Sequence, residues 1–379
     1  MRYLQIQVKG YRALADVTLD LHPLTVMIGP NGCGKTSLLE VFQLLREAAQ
    51  GRLGEAITNL GGFMTLLTCT SGAPARMEFV LKADINSQRS PEPISYHLTL
   101  EPGPQGVGFV SVLERLWQLK PGTGPHRYID SNTPAEPELK LSTWPPEGRG
   151  LFSKPATEPE VFRDALTKTL SLGSLDVSPR APVRLPQTLT PATYPGKNGE
   201  SLFPALYNMR ESKASRSSYE RVEETLQLAF PDFDHLELPV VGGGQVTLAW
   251  YEKNLTIPLY PNQLSEGTLR FLWLTTVLLS PEPPPLILID EPEVSLHPEF
   301  LKILAALLQD ASARTQLLVA THSSDLIRWL QPDEVVVIDK EEAKSAFIWA
   351  NDSSLNLSEW LKHYTLSDLW LMGNLGGRP

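Results

Sequence analysis

Residues 24–40, LTVMIGPNGCGKTSLLE, predict a short apolar strand (24–28), a glycine-rich loop and a helix over residues 36–49. The loop spells G-x-x-x-x-G-K-[ST] over residues 29–36, in the strand–loop–helix context in which this pattern binds phosphate. Glycine permits backbone conformations that a Cβ forbids, so N–H groups of the loop can turn inward around a polyphosphate. The phosphates then lie at a helix N-terminus, where unpaired N–H groups and the helix dipole favour negative charge.

The candidate ligands of a nucleoside triphosphate share this loop. They are Gly29, Asn31, Gly32, Cys33, Gly34, Lys35, Thr36 and Ser37. We expect Lys35 to place a positive charge beside the β and γ phosphates and the Thr36 hydroxyl to bind Mg²⁺. A glycine-rich turn that merely precedes Lys-Thr is the alternative, and the flanking strand and helix disfavour it.

Composition narrows the class of protein. The chain has 379 residues, 42% of them apolar, which is enough for a large core in one elaborated domain or two. A net charge of −10 argues against a protein that coats nucleic acid, although a local basic face is compatible with it. Two cysteines, no long apolar run and no targeting pattern before the alternating strand 3–8 predict a cytoplasmic protein without membrane insertion.

A second cluster of candidate residues follows an apolar strand near the middle of the C-terminal half. Residues 283–291, PPPLILIDE, predict a buried parallel strand that ends in two acids. Neighbouring side chains on a strand face opposite sides, so Asp290 can hold Mg²⁺ through water while Glu291 acts as general base on the attacking water. A strand that simply ends in exposed acids is the alternative, and the phosphate loop upstream disfavours it.

His322 follows the buried strand predicted at 316–320. It therefore lies at the edge where open α/β sheets bind ligands, and it is suited to hydrogen-bond a γ phosphate. A purely structural histidine is the alternative interpretation.

The remaining segments predict the layers around these motifs. Alternation over residues 77–119 predicts an antiparallel meander with one face buried. Residues 121–204 hold 14 of the 33 prolines and predict an irregular insertion with one helix, 158–172. We further expect helices at 219–230, 269–279 and 299–308, and strands at 236–240, 246–250, 255–259, 334–338 and 346–350. The sequence contains no heptad repeat, so we expect no coiled-coil arm.

Two groups of basic residues leave alternatives open. Lys9 and Arg12 either contact a nucleotide beside the loop or are solvated. Six cations within residues 177–216, with aromatic residues interleaved, fit either a nucleic-acid face or a solvated basic loop. These cations are Arg180, Arg184, Lys197, Arg210, Lys213 and Arg216.

The motifs in this order resemble the ABC-type ATPase head, most closely the branch of RecF, SMC and OLD-type proteins and its small stand-alone bacterial ATPases. The motifs are residues 29–36, 264–268 (LSEGT), 287–291, 295–297 and His322, and the tail 357–377 is similar as well. The resemblance implies an α/β fold with a mixed or parallel core sheet, an antiparallel β layer and a helical signature subdomain. It implies one head over residues 1–379, with an N-terminal lobe 1–119, an insertion 120–210 that the resemblance covers poorly, and a C-terminal lobe 211–379.

The resemblance also implies a mechanism. Two copies of the chain would sandwich two ATP molecules, each held by residues 29–36 of one copy and closed by Ser265 and Gly267 of the other. Residues 295–298 would cross the interface between the two sites. The sequence departs from the transporter pattern, since Ser-Glu-Gly-Thr replaces Ser-Gly-Gly-Gln, the sensing glutamine is unplaced, and no nuclease module follows the head as in OLD enzymes.

The resulting expectation is an ATP-hydrolysing switch in DNA repair or anti-phage defence. It would act as a homodimer with a separately encoded effector such as a nuclease, and DNA is a candidate ligand. The alternative is the nucleotide-binding subunit of a membrane transporter, which the large insertion disfavours. A dimer that does not hydrolyse ATP is disfavoured by the intact Asp290-Glu291 pair.

Overall fold

The computed structural model of the chain describes residues 1–69, 75–85, 92–103, 108–120, 122, 124–132, 139–144, 156–341, 344–355, 357, 360 and 363–373. The chain divides into two compact units. The first comprises Met1–Thr169, Pro332–Tyr364 and Leu369–Pro379, and the second comprises Leu170–Gln331 and Thr365–Asp368. The domain limits expected at 119 and 210 stay a prediction.

Strands and helices follow each other in a mixed order along the chain. The strands are β1 Arg2–Tyr11, β2 Leu14–Asp20, β3 Leu24–Ile28, β4 Met77–Asp84, β5 Ile94–Pro102, β6 Phe109–Lys120, β7 Gly124–Ser131, β8 Leu170–Leu172, β9 Gln187–Thr188, β10 Phe233–Glu237, β11 Val240–Val241, β12 Gln245–Val246, β13 Ala249–Glu252, β14 Leu286–Asp290, β15 Gln316–Thr321, β16 Val335–Glu341 and β17 Lys344–Trp349. The helices are α1 Lys35–Ala49, α2 Leu53–Asn59, α3 Phe63–Leu66, α4 Glu158–Thr167, α5 Leu202–Glu211, α6 Arg216–Ala229, α7 Glu266–Leu278, α8 Pro298–Ser312, α9 Ser324–Ile327 and α10 Leu366–Leu371.

The first unit contains the antiparallel layer. Its strands are hydrogen-bonded in the order β2-β1-β4-β5-β6-β7, and every neighbouring pair is antiparallel. The predicted meander is thereby confirmed, and it extends through β1 and β2 on one side and β7 on the other. On β5 both faces carry buried side chains, and on one of them Tyr96 packs against Phe162 of α4 at a ring-centre distance of 5.7 Å.

The strand that leads into the phosphate loop also lies in the first unit. β3 is buried along its whole length and pairs in parallel with β16, which pairs antiparallel with β17. α1 follows the loop and buries one apolar face, including Phe42, whose ring meets Tyr3 of β1 edge to face. This packing fixes both ends of the loop.

The second unit holds a parallel arrangement of β15, β14 and β8, with β14 paired to both others. α5 to α8 pack against one another beside these strands. An aromatic cluster joins them, since the ring of Phe230 lies 5.0 to 5.9 Å from those of Trp250, Phe271 and Phe300. The predicted fold class, with mixed sheets, an antiparallel layer and a helical signature region, is confirmed.

Several expectations about elements are wrong. The insertion at 121–204, expected to be irregular apart from one helix, also holds β7, β8 and β9. Residues 255–259 form no strand but a single bridge between Trp250 and Leu259, because Pro258 lacks an N–H and Ile257 is 70% exposed. The helix expected at 158–172 ends at Thr167, after which β8 joins β14. Three residues are too short for a periodic signal, so only the neighbouring strand identifies β8.

Part of the sequence discussed above lies outside the described residues. This applies to 133–138 and 145–155 of the insertion and to 358–359, 361–362 and 374–377 of the tail. Within the described ranges, no helix is both long and apolar enough to cross a membrane.

Candidate nucleotide-binding and hydrolysis residues

The phosphate loop has the backbone that its glycines permit. Gly32 and Gly34 have φ angles of 73° and 106°, and Gly34 caps α1 directly before Lys35. The loop closes through the Cys33 N–H, which donates to the Pro30 carbonyl at 3.4 Å. A Cβ on Gly29 would meet the carbonyl oxygen of Ile338 on β16. Glycine is therefore required here both by left-handed φ values and by close approach of the backbone.

The predicted ligand side chains of the loop differ in exposure. Lys35 is 5% exposed, and its Nζ donates to the carbonyl oxygens of Gly29 at 2.5 Å and Pro30 at 3.1 Å. Asn31 and Thr36 are exposed and Ser37 is half-buried, whereas the Cys33 thiol is buried. The Lys35 ammonium group is thus held by carbonyl oxygens of its own loop. Because the Cys33 thiol is buried, a contact of Cys33 to phosphate would have to come from its main chain.

Lys9 and Arg12 both have acidic partners in the chain. Lys9 Nζ lies 3.1 Å from Asp16, and Arg12 Nε lies 2.8 Å from Glu40 of α1. Arg12 itself has a φ of 46°, which is uncommon for a residue with a side chain. These pairs account for both cations without a nucleotide.

The acid strand ends differently from the prediction. β14 ends at Asp290, and Glu291 turns out of the strand with a φ of 49° while its N–H still donates to the Ala320 carbonyl at 2.8 Å. The side chain of Glu291 is therefore not oriented by the alternation along a strand. Its orientation is set by the left-handed backbone conformation of Glu291 itself. Ser295 shares this conformation, with a φ of 62°. Such strained residues concentrate at functional sites.

The structure brings Glu291 and His322 close together. His322 Nε2 lies 3.8 Å from Glu291 Oε1, and the two side chains are 38% and 49% exposed. Glu293 holds the histidine loop, since its Oε1 accepts from the Thr321 hydroxyl at 2.6 Å and from the His322 N–H at 2.9 Å. A proton acceptor and an imidazole thus face the same solvent-accessible space.

Arg270 is a residue that the sequence analysis missed. It is 2% exposed, and its Nη2 donates to the main-chain oxygen of Glu291 at 2.7 Å. Burial lowers the pKa of its guanidinium, and the nearby carboxylates of Glu293, Glu266 and Glu291 act in the opposite direction. The signal was present, since Arg270 is the one charged residue in the apolar run 269–279, and a buried charge needs partners.

The serine turn at residues 265–268 packs against the segment after the acid strand. Ser265 caps α7 by accepting from the Thr268 N–H at 3.1 Å, and its side chain is exposed. A Cβ on Gly267 would lie 2.5 Å from the Ser295 carbonyl oxygen, and the Ser295 hydroxyl donates to Glu266 at 2.5 Å. The structure gives Ser265 and Gly267 a local role and leaves the serine accessible.

Several cations of the basic segment have partners of their own. Arg184 donates to the carbonyl oxygens of Pro261 and Leu264 at 2.7 and 3.1 Å, directly before the serine turn. Arg210 and Arg216 lie 2.9 and 3.4 Å from Glu211 and Glu220. These contacts favour the solvated-loop interpretation for those three residues.

The predicted site residues are distributed over the two units. Residues 29–37 belong to the first unit, and Ser265, Gly267, Asp290, Glu291 and His322 belong to the second. Within the second unit, the acid strand, the histidine loop and the serine turn are connected by the contacts of Glu293, Arg270 and Ser295.

Comparison with known proteins identifies the family of the chain. The family described as "AAA domain, putative AbiEii toxin, Type IV TA system" matches residues 24–328. An OLD nuclease of Thermus scotoductus is 49% identical over 41 residues, which cover 11% of this chain and 8% of the nuclease. The chain therefore matches a small part of that relative's length.

Two solved structures share the fold at low sequence identity. An SMC head bound to the C-terminal winged-helix domain of ScpA is 12% identical, with a TM-score of 0.56 over 92% of this chain and 98% of that one. An Smc head with an extended coiled coil, bound to the C-terminal domain of ScpA from Pyrococcus furiosus, is 10% identical, with a TM-score of 0.56 over 95% and 99%. The family match spans most of the chain, so this protein belongs to that AAA-domain family, and it has the fold of an SMC head.

Proposed function

We propose that this protein binds and hydrolyses ATP as a homodimer, with ATP as the ligand that holds two copies together. The observation that supports hydrolysis best is the Glu291–His322 pair, which lies at the ends of two adjacent parallel strands in a protein that also carries a complete phosphate loop. A chain that only bound nucleotide would not need a strained carboxylate opposite an imidazole.

The residues present fit ATP and Mg²⁺. The loop offers backbone N–H groups and the Lys35 ammonium to the phosphates, and the exposed hydroxyl of Thr36 and the carboxylate of Asp290 are the oxygen donors that Mg²⁺ prefers. Mg²⁺ would neutralise charge on the phosphates. Glu291 would accept the proton of the attacking water, and His322 would donate to the γ phosphate.

The proposed dimer assigns Ser265 and Gly267 to the ATP molecule of the other copy. Ser265 is exposed at the N-terminus of α7, where N–H groups and the helix dipole favour an anion. A ligand that binds the closed dimer better than the separate chains shifts the equilibrium toward association, and its hydrolysis reverses the shift.

The biological task proposed is a cytoplasmic switch in DNA repair or anti-phage defence, with a separately encoded effector such as a nuclease. The family description names a putative toxin of a type IV TA system, and the partial relative is a nuclease. The SMC heads of the same fold are bound to domains of another protein, ScpA. The ScpA-bound heads support a head that acts through a second polypeptide. The toxin and nuclease descriptions favour this task over transport.

The test uses the Glu291→Gln protein, which should bind ATP without turning it over. We expect its mass by light scattering to double when ATP and Mg²⁺ are added and to return to the monomer value with ADP. Glu224→Gln, an exposed glutamate on α6, is the matched control and should behave as wild type. An unchanged mass of the Glu291→Gln protein with and without ATP would contradict the dimer. Mass spectrometry of what copurifies with the ATP-bound dimer identifies the effector.

A further inference from the structure

We propose that Glu293 is a positioning residue that fixes the His322 ring opposite the Glu291 carboxylate, while Arg270 holds the main chain of Glu291. This inference rests on the proposed function, because it assigns the residue that arranges the hydrolytic groups. Glu293 itself has no assigned role in the mechanism above.

The first support is the way in which Glu293 joins the ends of two adjacent strands. Glu293 follows β14, yet its Oε1 reaches the end of β15 and accepts two hydrogen bonds there, from the Thr321 hydroxyl at 2.6 Å and from the His322 N–H at 2.9 Å. Hydrogen bonds to a charged acceptor are about twice as strong as neutral ones. One carboxylate oxygen therefore sets the backbone from which the His322 ring projects.

The second support is the buried guanidinium beside it. Arg270 donates to the main-chain oxygen of Glu291, so it holds the residue that carries the general base at a φ of 49°. Among the carboxylates that favour its charged form, Glu293 has the largest effect. Glu293 thus acts on His322 by hydrogen bonds, and Arg270 holds the Glu291 main chain beside it.

The third support is a pair of buried polar atoms of opposite charge. Arg270 Nε and Glu293 Oε2 are both buried, and neither has a hydrogen-bond partner among the residues that the structure describes. Leaving such atoms unsatisfied costs about 1–3 kcal/mol each, and more when charged, so their retention points to a purpose other than stability. Packing alone would be served as well by apolar residues of similar size.

The geometry explains why position matters. Nε2 of His322 and Oε1 of Glu291 are 3.8 Å apart, so each group can address a different atom of the reacting water and phosphate. A misplacement of about 1 Å can lower a rate by about 100-fold. Removing the carboxylate that sets this spacing should therefore reduce turnover and leave ATP binding intact.

The first measurement is steady-state ATP hydrolysis. We expect Glu293→Ala to lower kcat by about 10- to 100-fold with KM for ATP unchanged. Glu293→Gln should recover most of the rate, because an amide oxygen still accepts from Thr321 and His322. Glu224→Ala is the control. Equal kcat for Glu293→Ala and wild type overturns the inference.

A double-mutant cycle separates positioning from a general structural role. If Glu293 acts through His322, Glu293→Ala should lower kcat by less than about 2-fold in a His322→Ala background, because contacting residues of one network are not additive. A purely structural residue would lower kcat by the same factor in both backgrounds. That result would overturn the proposal even if Glu293→Ala is slow.

Two further measurements keep the outcomes distinct. Should Glu293→Ala unfold, Thr321→Val removes one of the two donors, and an unchanged kcat in that variant overturns the inference. Wild type and Glu291→Gln are assayed in parallel. If wild type does not hydrolyse ATP, or Glu291→Gln hydrolyses it equally fast, the proposed function fails. If both behave as expected while Glu293→Ala equals wild type, only the present inference fails.

Discussion

The phosphate loop and the end of the acid strand are built in opposite ways. The loop is one contiguous segment, residues 29–37, whose shape comes from left-handed glycines and from a lysine that bonds to its own loop. The acid site is assembled from residues 265–270, 290–295 and 321–322, which meet through the side chains of Glu293, Arg270 and Ser295. The shape of the loop is thus determined by neighbouring residues, whereas the arrangement of the acid site depends on residues far apart in sequence.

This difference predicts different kinds of failure. In the proposed function, a change in the loop should alter binding of the nucleotide, because its N–H groups and ammonium would contact phosphate directly. A change at the acid site should alter the rate, because its groups would act on the attacking water. The variants below test that separation, beginning with the largest expected effect.

Glu291→Gln should lower kcat by about 10²- to 10⁴-fold, because an amide cannot accept the proton of water. ATP affinity, measured by titration with a fluorescent analogue, should stay as in wild type. Turnover of Glu291→Gln at the wild-type rate would show that Glu291 is not the general base. The proposed division between a binding loop and a catalytic acid site would then be wrong.

Ser265→Arg should abolish turnover while ATP still binds the monomer, since the serine acts on the ATP of the other copy. The informative measurement is a mixture with Lys35→Ala. At an ATP concentration well below the Kd of Lys35→Ala, each protein alone should be inactive, whereas the mixed dimer has one site with an intact loop and an intact serine turn and should hydrolyse ATP. Absence of recovered activity in the mixture, when both variants fold, would argue that the serine acts within its own chain.

Lys35→Ala should weaken ATP binding by about 10- to 100-fold, the loss expected when charge-assisted hydrogen bonds worth about 1.5–3 kcal/mol are removed. Isothermal titration measures this effect. Lys82→Ala, at an exposed position of β4, is the control. A loss of rate at unchanged affinity would show that the loop, too, works through catalysis.

Gly267→Ala should destabilise the fold by about 1–3 kcal/mol, because the added methyl group meets the Ser295 carbonyl oxygen at 2.5 Å. Gly54→Ala is the matched control, since this helical glycine has open space around it and alanine should stabilise its helix by about 0.5–1 kcal/mol. Urea unfolding of both variants measures the difference. Equal effects at the two positions would contradict the close approach of the serine turn to Ser295.

The same contrast explains how far the sequence could be read. Strand, loop and helix over residues 24–49 follow from local signals, and so do the apolar strands at β14 and β15. The strand β8 could not be anticipated, because it depends on a partner far away in sequence. Short or edge segments carry too few residues for a period to appear.

The candidate site shows the same limit. The sequence places Glu291 and His322 each at the end of a predicted strand, and the structure brings them to 3.8 Å. The left-handed turn at Glu291 was not predicted, since nothing in the residue type favours it. Glu293 lies among other acids in the sequence, and its role follows only from its hydrogen bonds to the end of β15. Arg270 stands out as the one charged residue of an apolar run, but the sequence does not identify its partner, the main-chain oxygen of Glu291.

The hydrogen bond from Ser295 to Glu266 has a consequence for how a pair of these molecules would work. This hydrogen bond links the serine turn to segment 295–298. In the proposed dimer, a displacement of the turn by one nucleotide would therefore also displace the segment that leads toward the second nucleotide. Coupling of this kind between two equivalent sites is reciprocal. In the proposed dimer the response to ATP would then be sigmoidal, with a Hill coefficient above one that falls toward one when the Ser295 hydroxyl is removed.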